Sequence, residues 1–216
     1  MLKKILKHEK GITGLETAII LIAFVVVAAV FAYTALSAGL FSTQKAQESV
    51  YSGLKEAQST LELRGGVIAT ANTTGASGKV QQVSFIVSNV LGGESIDFTP
   101  PTANTSTATG LADTDSTNVV VINYQDEDQT VNDLYWSIEK LGNADADNLL
   151  ETNERFEITI GSGTPGEDGG NLCNALPTAN LTVNKTFNLE VLTPVGAVLQ
   201  IERTTPAYID TIMNLR

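Results

Sequence analysis

Residues 18–36 read AIILIAFVVVAAVFAYTAL, nineteen positions with no formal charge and only Tyr33 and Thr34 as polar interruptions. Roughly 20 apolar residues are what a helix needs to cross a bilayer core, where it alone among open structures pairs every backbone N–H and C=O internally. Upstream, residues 1–11 hold Lys3, Lys4, Lys7 and Lys10 against Glu9, a local balance of 4 − 1 = +3. A basic head of this kind holds the N-terminus in the cytoplasm and leaves the rest of the chain outside. The rest carries −11 − 3 = −14. A signal peptide, a signal anchor and a single-span membrane protein all share this layout.

The flanks separate these alternatives. An ordinary secretory signal has its small-residue cleavage site after the apolar run, yet here the run continues through Ser37-Ala38-Gly39-Leu40 into a long amphipathic stretch. On the near side, Lys10-Gly11-Ile12-Thr13-Gly14-Leu15-Glu16 places a Lys-Gly step just before the helix, and Glu16 is the sole charge between Lys10 and Lys45. A carboxylate in the first turn suits the helix dipole, by about 0.3–1 kcal/mol. If the chain were cut after Gly11, the new α-amino group of Ile12 would also lie four residues before Glu16, on the same helix face. A neighbouring copy could offer the same amine, and an unpaired charge in hydrocarbon costs a few kcal/mol.

Lys10-Gly11 before Ile12-Thr13-Gly14-Leu15-Glu16-Thr17-Ala18-Ile19 resembles the class III signal of type IV pilin-like proteins. Within that group, GLETAIILIAFVVVAAVFAY (residues 14–33) closely resembles archaeal flagellins, or archaellins, and so does the tail PVGAVLQIERTTP at residues 194–206. The resemblance implies cleavage between Gly11 and Ile12 by a membrane prepilin-type signal peptidase, with the helix kept on the mature subunit. It also implies a helical filament of identical copies, contact with membrane assembly and rotary motor machinery, an Ig-like outer domain and N-linked glycans. On this reading the precursor sits in the cytoplasmic membrane and the mature protein is extracellular.

Beyond the apolar run the sequence stays helix-compatible to about Leu63. Val50, Leu54, Ala57 and Leu61 form one stripe, with Glu48, Ser52, Lys55, Ser59 and Glu62 largely off it, and Arg64-Gly65-Gly66 reads as a stop. Residues 12–63 would span about 78 Å as a helix. A helix apolar all round in its first half must find lipid or copies of itself, and the Ala, Gly and Val of residues 23–39 allow close helix approach.

From Val67 the period changes to short β-branched runs at residues 80–90, 118–124, 134–139, 155–160, 186–192 and 196–202. Turn-rich segments separate them, among them the Thr-rich stretch 99–118 and the Gly-rich stretch 161–171. Such a series predicts an antiparallel β-sandwich or barrel. The fold class is therefore α+β: a basic signal at residues 1–11, a filament-core helix at 12–63 and an outer β-sandwich at 64–216. The sandwich is expected to fold alone from Gly66, where 6 bases oppose 19 acids, 6 − 19 = −13.

Across all 216 residues, 13 basic side chains face 24 acidic ones, the wrong balance for binding nucleic acid by phosphate neutralisation. Cys173 and His8 are the only residues of their kinds, so disulfides, zinc sites and Cys–His catalysis cannot be built within one copy. Cys173 reads as a small buried or idle thiol. No P-loop, GxSxG or HExxH is present. The expectation is a non-enzymatic protein that needs no cofactor.

Sequons stand at Asn72, Asn104, Asn180 and Asn184, all beyond the apolar run and all candidates for N-glycosylation if the domain is outside the cell. Asn184 is the least favoured because Asn180 is so close. Asp145, Asp147, Glu151 and Glu154 place four carboxylates around one turn, an arrangement that offers oxygens to Ca²⁺ and equally forms a solvated acidic turn; it lacks the glycine of an EF-hand. Asp126-Glu127-Asp128 is a weaker candidate of the same sort. The function expected is a structural subunit of the archaeal swimming filament. Its alternatives are an archaeal type IV adhesion pilin, a membrane-anchored extracellular binding module and, last, a membrane-tethered hydrolase using Asp/Glu pairs.

Overall fold

The computed structural model describes residues 2–58, 60–90, 94–104, 108–161 and 170–215; within the long helix, side chains are described for residues 14–55 and 57. The chain divides into two units, Met1–Ser52 and Gly53–Arg216.

Helix α1 runs over Leu2–Gln58. Its Gly14–Lys55 portion is long and apolar enough to cross a membrane. The helix is continuous through Lys10-Gly11 and through Gly14 and Gly39, since the intervening Ala, Leu and Ile outweigh the roughly 1 kcal/mol that each interior glycine costs. It ends five residues before the expected Leu63. Strand β1, Leu61–Thr73, begins almost at once. Leu61 fits the helical stripe that leads to it, but Leu61 and Leu63 also alternate with Glu62 and Arg64, and the β reading wins because a partner strand exists. β2, Lys79–Asn89, pairs antiparallel with β1 in the register Leu61↔Asn89, Leu63↔Val87, and Leu61 becomes 4% exposed. Arg64-Gly65-Gly66 is not a helix stop. It lies inside β1, where the register with β2 shifts between Arg64 and Ile68 and Gly65 takes φ +87°, a conformation suited to glycine.

After β2 come β3 (Ile96–Asp97), β4 (Val121–Asp126), β5 (Thr130–Val131), β6 (Trp136–Leu141), β7 (Leu149–Leu150) and β8 (Arg155–Ile160). Then follow the short helix α2 (Leu172–Ala175), β9 (Thr186–Leu192), β10 (Leu199–Thr204) and β11 (Ile212–Leu215). β8 and β9 have the expected bounds. β4, β6 and β10 start two or three residues late, the last because Gly196, at φ +107°, turns the chain first. β1, β3, β5, β7, β11 and α2 were not foreseen.

One sheet has the order β11-β1-β2-β8-β6, the other β10-β9-β4-β5, and β3 pairs with β7. Every strand pairing is antiparallel. The chain changes sheet between β2 and β4, β5 and β6, β8 and β9, and β10 and β11, so the sheets share one core, as in a β-sandwich. Val83, Phe85, Val87, Ile158 and Ile160 supply one side of it, Ile122, Tyr124, Leu189, Val191 and Ile201 the other. Alternate residues of β9 are buried, as a sheet with one face on a core requires. Phe98 seals the end of the core, edge-on to Trp136 at 6.0 Å and to Phe156 at 6.1 Å.

This register corrects the expected start of the independent domain. A fragment beginning at Gly53 should be a monomeric, β-rich protein with cooperative unfolding. One beginning at Gly66 should be less stable by about 3–5 kcal/mol, from burial of Leu61 and part of Leu63 at roughly 1.5–3 kcal/mol each. Thermal melts of the two fragments test this, and equal midpoints would show that the first half of β1 contributes nothing.

Candidate functional site

Every residue from 14 to 55 is exposed, in a segment composed almost wholly of apolar side chains up to Phe41. Ile22 is 65%, Phe24 71% and Phe31 69% exposed. The apolar side chains surround the helix on all sides, which leaves this helix with no solvent face of its own. Shallow grooves score its surface, one of about 330 Å³ between Tyr33, Leu36, Ser37, Leu40, Phe41 and Gln44. Its hydroxyls do not disturb that character. Thr17 Oγ1 donates to the Gly14 carbonyl at 3.0 Å, Thr34 Oγ1 to Phe31 at 2.9 Å and Thr43 Oγ1 to Gly39 at 2.8 Å. Each of these three threonine hydroxyls is satisfied within its own helix and enters an apolar surrounding at low cost. Further on, Lys45 and Glu48 form an exposed ion pair at 2.6 Å, and the helix becomes amphiphilic.

Glu16 is exposed on this helix. Gly11 and Ile12 lie in its first turns; their side chains fall outside the described ones. The backbone places Ile12 and Glu16 one turn apart on one face.

The sequons fall in unlike places. Asn72 is exposed near the end of β1 rather than in a loop. Asn180 is half-buried. With its amide oriented to suit its neighbours, it donates to the Cys173 carbonyl at 3.3 Å and accepts from Lys79 Nζ at 3.2 Å. Asn184 is exposed in a turn at φ +52°. Asn104 is half-buried, and its carbonyl accepts from Ala108 N at 2.9 Å; Thr105 and Ser106, the rest of that sequon, lie outside the described residues.

The acidic turn does not assemble a ligand set. Glu154, buried to 8% exposure, accepts from Asp145 N at 3.1 Å through Oε1 and from Glu151 N at 3.0 Å through Oε2. Asp145 Oδ1 accepts from Asp147 N, and Asp147 Oδ1 from Leu149 N. Lys140 Nζ reaches the Ala146 carbonyl at 2.7 Å, so a cation is already present. Among the described residues no three His, Cys, Asp or Glu side chains come together to hold a metal. The carboxylates cap a tight turn whose backbone N–H groups would otherwise lack partners.

Asp126 does the same for the β4–β5 hairpin. Burial raises its carboxyl pKa, but hydrogen bonds from Tyr124 Oη, the Gln129 side chain and the N–H groups of Asp128 and Gln129 together hold it below the usual value. Cys173 donates its thiol to the Val80 carbonyl at 3.2 Å, and burial pushes that thiol up in spite of nearby Lys79. Such a thiol is a poor nucleophile.

The comparisons with known proteins fall on the same features. Residues 11–203 match the family model for archaeal-type flagellin. The chain is 36% identical to probable flagellin 1 of Archaeoglobus fulgidus, covering 98% of each chain, and 38% identical to that organism's probable flagellin 2, covering 94% of this chain and 93% of the relative. In three dimensions it superposes on a chain from the archaeal flagellum of Methanospirillum hungatei with a TM-score of 0.59 and 29% identity, over 94% of this chain and 98% of the other. A long apolar helix ahead of an antiparallel sandwich, matched by sequence from residue 11 to the last long strand, places this chain in the archaeal-type flagellin family.

Proposed function

We propose that this protein is the structural subunit of an archaeal flagellar filament, with α1 packed against copies of itself in the core and the acidic β-domain outermost. The observation that carries the reading is the helix of residues 14–55, apolar on every side up to Phe41 and exposed along its whole length in the single chain. Burying a Leu, Ile, Phe or Val side chain is favourable by about 1.5–3 kcal/mol, and each copy brings many. Lipid accepts such a helix before assembly and neighbouring helices accept it afterwards. The net negative domain stays soluble and resists lateral association. Nothing in the site calls for catalysis.

The finer steps belong to the same proposal. A membrane prepilin-type peptidase cuts between Gly11 and Ile12, the membrane assembly and motor machinery builds and turns the filament, and the surface domain carries N-linked glycans. Cryo-electron microscopy of purified surface filaments, with intact mass and N-terminal sequencing of their subunit, tests the reading. The expected mature protein begins at Ile12 and its helix lies in the filament core. A mature protein beginning at Met1, or beyond Leu36, overturns it. Filaments that bind surfaces but never rotate would assign the subunit to an adhesion pilus.

Glu16→Ala gives a second test. Membrane insertion should be retained, because the change removes a charge that hydrocarbon disfavours. Filament number should fall about tenfold, the equivalent of 1.4 kcal/mol, as the Ile12 amine loses its partner. Normal filaments from this variant would leave Glu16 with the helix-dipole role alone.

A further inference from the structure

We infer that, among the sequons whose residues are all described, Asn72 and Asn184 accept an N-linked glycan and Asn180 does not. The assignment rests on the proposed extracellular position of the β-domain and goes beyond it by naming the positions. The reaction sets a demand on the asparagine. Its Nδ2 must attack the anomeric carbon of a glycan carried on a polyisoprenyl phosphate, forming the C1–N bond as the C1–O bond to phosphate breaks. The lipid phosphate leaves and an amide proton passes to a base of the membrane transferase. The amide must therefore be reachable, and the product must have somewhere to project in the folded domain.

Asn184 meets both conditions. Its side chain is exposed and makes no hydrogen bond among the described residues. The turn is held without it, by the backbone bond from Asn184 N to the Pro206 carbonyl and by Lys185 N donating to Thr205 Oγ1 at 2.9 Å. Thr186, the hydroxyl residue of this sequon, is itself exposed. Asn72 is exposed too, near the end of β1.

Asn180 fails both conditions. Its amide is held at each end, by the Cys173 carbonyl and by the Lys79 ammonium, and it is half-buried between the segment after α2 and the start of β2. Its sequon hydroxyl residue, Thr182, is tied as well, through a carbonyl that accepts from the buried Thr205 Oγ1 at 2.5 Å. A glycan on this half-buried, doubly held amide would have to be housed beside Cys173 and Lys79 even if it were attached before folding. The closeness of Asn180 and Asn184 in sequence then no longer counts against Asn184, since the former is not used.

Glycopeptide mass spectrometry of the wild-type protein, taken from filaments or from membranes, reads each site without any substitution. The Asn72 and Asn184 peptides should carry glycan and the Asn180 peptide should be bare. In intact masses, N72Q and N184Q should each remove one glycan, while N180Q should change the mass only by the substitution itself. Glycan on Asn180, or an unmodified Asn72 or Asn184, overturns the assignment. Recovering the protein from filaments or only from membranes decides the filament reading separately, whichever sites are occupied.

Discussion

Phe31→Ala should leave the protein in the membrane and remove it from filaments. On a lipid-facing helix the change is worth a fraction of a kcal/mol, because Phe contributes only about 0.3–0.6 kcal/mol to insertion and the rest of the apolar run is untouched. In a close-packed helical core the same deletion leaves a cavity and costs about 3–5 kcal/mol per copy. At 1.4 kcal/mol per tenfold, that is a loss of at least about a hundredfold in assembly affinity. Phe31 is 69% exposed in the single chain, so no folding defect of the subunit complicates the result. The amounts of subunit in membrane and filament fractions, measured side by side, give the answer. Filaments at the normal level would mean that Phe31 faces no neighbour, and loss from both fractions would mean that the helix anchors rather than packs.

The second large effect is expected in the outer domain. Phe98 is fully buried directly after the two-residue strand β3 and meets both Trp136 and Phe156 edge-on, so its ring ties the end of β3 to β6 and β8. Phe98→Ala should destabilise the Gly53–Arg216 unit by about 3–5 kcal/mol, the range for emptying a large buried aromatic site. Two edge-to-face contacts, at roughly 0.5–1.5 kcal/mol each, belong to that loss. A domain of this size loses about 2–4 °C in midpoint per kcal/mol, so the melt should move down by about 10 °C. Val119→Ala serves as the control. It removes methyl groups from a side chain that is 45% exposed and should move the melt by a degree or two at most. A Phe98→Ala midpoint within two degrees of wild type would show that the ring is not part of the core.

The long helix was legible because its cause is local. Nineteen consecutive uncharged, mostly apolar residues need no distant partner to become helical, and the Lys10-Gly11 step and Glu16 are written beside them. β8 and β9 were legible for a similar reason, since Arg155–Ile160 and Thr186–Leu192 alternate cleanly and their turns flank them. The boundary at Leu61 was not. Leu61 satisfies both a helical stripe and a strand alternation, and the choice between them is made by Asn89, its partner on β2. β11 pairs Ile212 with Thr70, a contact between opposite ends of the domain that no window along the chain contains.

The sites divide along the same line. A sequon can be read from three residues, but whether its amide is free depends on Lys79 and Cys173, which come to Asn180 only when the sheet closes. The spacing of Asp145, Asp147, Glu151 and Glu154 suited a cation. In the folded turn Asp145, Asp147 and Glu154 give carboxylate oxygens to backbone N–H groups of the turn, Glu151 N among them. What the sequence determined by itself was the helix, its apolar character and the basic stretch at its start, because hydrophobicity and charge act over a few residues. The tertiary structure decided where the helix yields to β1 and which polar side chains remain available, because hydrogen bonding and burial are settled between segments far apart in the chain.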